Sequence, residues 1–125
     1  MLHKDYLLEV IAQFVEVVTE ALGLAHRKHD PTAVQEAEEA VAGLLDLDAQ
    51  VALKLSPDSL VTMMLLSGIG DSLAEYVTYT LRELGDVYEE MGDAQTAALR
   101  RDQAVAVADS FGVDPDVVPE EFQQG

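Results

Sequence analysis

Apolar residues recur at three- and four-residue spacing along most of this chain, which is the period of amphipathic helices. From Lys4 to about Leu24 the pattern is unusually broad. Leu7, Ile11, Phe14, Val18 and Ala21 form one apolar line, Leu8, Val15 and Leu22 a second, and Val10, Val17 and Leu24 a third. Asp5, Glu9, Gln13, Glu16 and Glu20 leave only a narrow polar stripe. A surface helix needs an apolar arc only a little over 100° wide. An arc wider than half the circumference suits either the central helix of a bundle or one half of a dimer interface. Leu8, Ile11, Val15 and Val18 are the candidate contact residues of that helix.

Punctuation residues divide the rest. His26-Arg27-Lys28-His29 places cations near a helix end, where they complement the dipole. Asp30-Pro31 then supplies a cap and a first-turn proline. Val34, Ala37, Val41, Leu44 and Leu45 are the stripe of that second helix. The run from Asp46 to Leu55 fits alternation and helix equally, so a short helix or an irregular link is expected there. Ser56-Pro57-Asp58 opens a helix through Leu60, Val61, Met63, Met64, Leu65 and Leu66, which Gly68 or Gly70 stops. Asp71 or Ser72 begins a long helix to Met91, striped by Leu73, Val77, Leu81, Leu84 and Tyr88. Gly92 ends it, Asp93 caps the next, and an alanine-rich helix runs from 94 to about 111, before Gly112.

The predicted fold is therefore all-α: a compact bundle of about five helices. It forms one helical domain over 1–112, with an antiparallel hairpin at 72–111 and an extended or flexible acidic tail over 113–125. Val117, Val118 and Phe122 give that tail apolar points with which to dock. A length of 125 residues fits one domain, and 49% apolar residues make it globular.

Charge and composition narrow the function classes. With 24 acids against 7 Lys and Arg, the formal charge is −17. Such a field repels a phosphate backbone and an anionic membrane surface, so neither nucleic acid nor membrane is an expected partner. It serves solubility, or it steers a basic partner inward. Cysteine is absent, which removes disulfides, thiolate metal sites and thiol catalysis. Glu9, Glu16 and Glu20 interrupt the first apolar segment, so neither a secretory leader nor a membrane span is expected, and the cytoplasm is the default location.

Candidate chemistry is thin. His26, His29 and Asp30 form a weak metal-like cluster, straddling a helix end beside Arg27 and Lys28. No Glu-x-x-His pair of the di-iron type occurs. Ser67-Gly68-Ile69-Gly70-Asp71 is glycine-rich but lacks a preceding strand and a following lysine, so a helix–helix turn is its expected role. Catalysis is not expected, and no cofactor is implied. The leading expectation is a non-catalytic interaction or scaffold module, self-associating as a homodimer through its first helix or binding a basic protein. Arg100 and Arg101 stand out as a basic spot on an acidic chain. The alternative is a small-ligand or metal-binding protein with a pocket between the 57–67 helix and the 72–111 hairpin, lined by Met63, Met64, Tyr76, Tyr79 and Tyr88.

Two resemblances accompany these readings. Leu81-x-x-Leu84-Gly85-x-x-Tyr88, then Gly92-Asp93, Ala97 and Ala104, resembles one tetratricopeptide-type hairpin. It implies close helix approach at Gly85, Tyr88 packed across the pair, and Ala97 and Ala104 as small contacts. Leu81, Arg101 and Asp109 stand where that signature carries Trp, Phe and Pro. No second copy lies upstream, so the resemblance implies one repeat-like unit inside a bundle. The opening Lys4-Asp5-Tyr6-Leu7-Leu8, with Leu45-Asp46-Leu47-Asp48 and Leu55-Ser56-Pro57-Asp58-Ser59-Leu60, is similar to a family of small bacterial helical proteins to which no activity is assigned. That resemblance implies the helical fold and no chemistry.

Overall fold

Short polar side chains set the helix starts. Asp30 accepts from the Thr32 N–H at 2.9 Å, Asp48 from Gln50 at 2.8 Å, Ser56 from Ser59 at 3.3 Å and Asp93 from Thr96 at 3.1 Å. Each satisfies a backbone donor that the first turn leaves open. The computed structural model describes residues 4–68 and 70–123. Within them lie α1 (Lys4–Lys28), α2 (Pro31–Leu44), α3 (Ala49–Ala52), α4 (Pro57–Ser67), α5 (Gly70–Glu90), α6 (Ala94–Phe111) and a single 3-10 turn (Glu120–Phe122). The architecture is all-α, as the periodicity predicts, and the described residues contain no strand.

One boundary differs from expectation, and one open reading is settled. α1 continues past Leu24 to Lys28, because Ala25 is fully buried and His26, Arg27 and Lys28 favour the negative end of a helix. The ambiguous run after Asp46 settles as α3, a single capped turn that buries Ala52 and Leu53.

The six helices form two hairpins and a cross-piece. α5 and α6 pack along most of their length, α1 pairs with α2, and α4 lies against α6. α2 and α1 then close onto α5. Val18, Val41, Leu60, Met64, Leu73, Val77, Leu81, Leu84, Val87 and Val107 are the fully enclosed centre. At the α5–α6 contact, a Cβ on Gly85 would sit 2.8 Å from Arg101 Cγ and 3.3 Å from the Ala97 carbonyl oxygen. Glycine is needed there because the second helix occupies the space of a side chain.

Residues 113–123 lie against the body. Phe122 stacks on Tyr79 with ring centroids 4.5 Å apart, and the Tyr76 hydroxyl donates to Glu121 at 2.7 Å. Arg82 donates to the Pro115 and Val117 carbonyl oxygens. Of the apolar points in the supposed extended tail, Phe122 docks, while Val118 stays exposed. Its last two residues, 124 and 125, lie outside the described part, as does Ile69 of the glycine-rich turn.

Candidate functional site

The third apolar line of α1 is only partly covered by the core. Val10 is half-buried and Val17 is exposed, with Tyr6 on the same side one turn earlier. Facing them are Ala40, Gly43 and Leu44 of α2, and together with Phe14 they form a shallow cleft of about 420 Å³. A second cleft of about 590 Å³ continues from it, between the start of α1, the α2–α3 link and α4. Its walls include Tyr6, Leu7, Leu45, Leu47, Met63 and Leu66. The two clefts share Val10, Gly43 and Leu44, so they meet there as two reaches of a groove.

Gly43 explains why the groove is open. It lies in the last turn of α2 with ordinary helical geometry, and a Cβ there would meet nothing within 4 Å. A larger residue there would extend into open space, and a stabilising alanine would cost nothing sterically. On the other wall, Leu66 of α4 is 78% exposed.

The charges at the groove have one sign. Glu36 and Glu39 line the α1–α2 reach and Asp46 lines the other. No lysine, arginine or histidine lines either reach. Among the described residues none of these three acids forms an ion pair.

A polar cleft of about 890 Å³ adjoins the groove at Glu39, Gly43 and Leu47 and opens against α3 and the α5–α6 turn. Its floor is a closed network. Arg100 donates to Glu38 at 2.7 Å and to the Leu53 carbonyl oxygen at 2.6 Å, and its guanidinium lies 5.6 Å from the Tyr88 ring centre. The Tyr88 hydroxyl donates to the same Glu38 oxygen at 2.8 Å. Burial, then the Glu38 carboxylate, pushes the Tyr88 phenol up to about 12. Gln103 donates to the Leu53 and Leu55 carbonyl oxygens, at 3.2 and 2.9 Å. This network answers the open carbonyls after α3 and fastens that link to α6.

The residues singled out from sequence separate in the structure. Ile11 and Val18 face the core, Val15 is half-buried, and only Leu8 is well exposed. The contact line expected on α1 is therefore mostly interior, because α2 and α5 cover it. Arg100 is no surface spot: it is 6% exposed and bound internally. Arg101 pairs with Asp86 at 2.9 Å and Glu89 at 2.8 Å, and those carboxylates hold its guanidinium charged. Its hydrogen bond to Glu89 in turn keeps that carboxyl below the ordinary range.

The three tyrosines expected to line a pocket meet different partners. Tyr76 meets Phe14 and Glu121, Tyr79 meets Phe122, and Tyr88 meets Glu38 and Arg100. Met64 is core, and Met63 belongs to the groove instead. The histidine cluster also reorganises. Asp30 caps α2, while His26 sets its two ring nitrogens 3.2 Å from Glu83 and Glu90, and His29 sits 3.3 Å from Glu90. These contacts tie the end of α1 to α5. Among the described residues no three histidine or carboxylate side chains are arranged to hold a metal ion.

Sequence reasoning missed Gly43, Tyr6, Leu47 and Leu66 as one site. The Val10–Val17 line was visible, but nothing local reveals that α2 turns a glycine toward it. No helix among the described residues is long and apolar enough to cross a membrane. Comparison with protein-family models, curated proteins and solved structures finds no match to this chain.

Proposed function

We propose that this chain is a non-catalytic interaction module that receives an apolar segment in the groove between α1, α2 and α4. The observation that carries this reading is the continuity of the groove through Val10, Gly43 and Leu44, with Tyr6, Val17, Met63 and Leu66 exposed along it. Grooves of this form accept a helix by its apolar face. On the same reading the α5–α6 hairpin is a single repeat-like packing unit, and its role is to support α4 and α2 rather than to bind.

The test fills the groove without touching the core. Gly43→Leu adds a side chain where nothing lies within 4 Å and gains about 0.8 kcal/mol of helix propensity. A neutral solvatochromic dye should bind the native protein and bind Gly43→Leu at least fivefold more weakly, with the melting temperature held or raised. Leu8→Ser, on the opposite flank of α1, should leave dye binding unchanged. Equal dye affinity in native protein and Gly43→Leu would sink the groove reading.

A further inference from the structure

The groove has an apolar floor and an acidic border, and that combination selects its occupant. We infer that the occupant is a basic amphipathic helix of another protein, with leucine-like side chains on one face and lysine or arginine on its flanks. The inference rests on the groove reading above and adds the chemistry of the partner.

Three observations point the same way. First, Glu36, Glu39 and Asp46 stand at the groove with no lysine, arginine or histidine among its lining residues. Carboxylates left without partners beside a binding surface are complementary to cations arriving with a ligand. Secondly, the chain's arginines on α5 and α6 are engaged elsewhere. Arg82 holds the tail carbonyls, Arg100 holds Glu38, and Arg101 holds Asp86 and Glu89. They do not neutralise the groove. Thirdly, the net charge of −17 sets the approach. A cationic ligand is drawn in by the whole field, whereas a second copy of this chain brings −17 against −17 and is repelled.

The dimensions fit a helix of modest length. Tyr6 and Val17 are eleven positions apart on α1, a span of about 16 Å at about 1.5 Å per residue. Roughly three turns of a partner helix cover it, presenting anchors at three- and four-residue spacing. Lysine and arginine stems also lie well along apolar walls while their charged ends reach the carboxylates.

The experiment uses the full chain and a synthetic amidated peptide of leucine and lysine, with the leucines on one helical face. Two control peptides replace every lysine by glutamate or every leucine by serine. The leucine–lysine peptide should bind, and neither control should bind detectably. The triple variant Glu36→Gln, Glu39→Gln and Asp46→Asn should weaken binding at least tenfold and flatten its salt dependence between about 0.1 M and about 1 M, where the Debye length contracts from about 10 Å to about 3 Å. Gly43→Leu should weaken binding at least tenfold at both salt concentrations.

Failure takes distinguishable forms. If the triple variant binds as tightly as the native chain, or the leucine–glutamate peptide binds equally, while Gly43→Leu still abolishes binding, the cationic occupant is overturned and the groove stands. If Gly43→Leu leaves the leucine–lysine peptide bound with native affinity, the peptide sits on the general acidic surface and the groove reading falls too. If sedimentation shows a dimer that Gly43→Leu dissociates, the occupant is a second copy and the basic helix is overturned.

Discussion

Arg100 and Thr78 lie inside the α5–α6 hairpin, and their polar atoms are treated in opposite ways. Arg100 has a carboxylate, a carbonyl and an amide oxygen within reach, so its charge is compensated at every side that the structure closes. Thr78 is fully buried, and its hydroxyl has no hydrogen-bond partner among the described residues. Removing one member of a buried ion pair leaves the other uncompensated, which costs about 3 kcal/mol or more. Arg100→Leu should therefore lower stability by about 3 kcal/mol, stranding Glu38 and the carbonyls after α3. An unpartnered buried hydroxyl is itself a penalty, and valine keeps the branched shape while deleting it. Thr78→Val should raise stability by about 1 kcal/mol. Urea unfolding of the two variants should shift the midpoint in opposite directions with the slope unchanged. A destabilised Thr78→Val would mean that the hydroxyl has an unseen partner.

At the scale of elements, caps and glycines made the long helices legible, while the pieces fastened by distant side chains were not. Asp30-Pro31, Ser56-Pro57 and Asp93 announce helix starts locally, and the structure uses each of them. The link after Asp46 was ambiguous because its conformation is settled by Arg100 and Gln103, about fifty residues away. The groove was half legible. The Val10–Val17 line stood in the pattern of α1, but its opposite wall depends on how α2 and α4 are placed. The tail was legible as composition with Phe122 as a docking point, but its partners on α5 belong to aromatic and carbonyl contacts that no period encodes. Phe122 stacks on Tyr79, and Arg82 lies 5.4 Å from the centre of that same ring. Phe122→Ala removes a half-buried ring and one stacked pair, and should cost about 1.5 kcal/mol. Hydrogen exchange should then show faster exchange along 113–123, with α5 and α6 still protected. Equal exchange along that segment in both proteins would show that the arginine contacts hold it without the ring.

Across the whole molecule, three tyrosines on α5 connect that helix to the tail, to α1, and to α2 and α6. Tyr76 reaches Glu121 and Phe14, Tyr79 reaches Phe122, and Tyr88 reaches Glu38 and Arg100. Burial is the largest cause raising each phenol above its ordinary value, and a nearby carboxylate adds to it: Glu121 for Tyr76, Glu83 for Tyr79 and Glu38 for Tyr88. A phenol that resists ionisation when folded contributes stability that is whole below its unfolded value. That contribution is lost as pH rises through the folded one. For Tyr88 the window runs from about pH 10, the ordinary tyrosine value, to about pH 12. All three shifts have the same sign, and each ionisation would add a negative charge to a molecule already at −17. The bundle should therefore lose stability steeply above about pH 10. Phenolate absorbance and far-ultraviolet circular dichroism, followed together, should show the buried tyrosines ionising as the helices melt. Complete tyrosine ionisation with the helices intact would show that these three hydroxyls do not tie the molecule together.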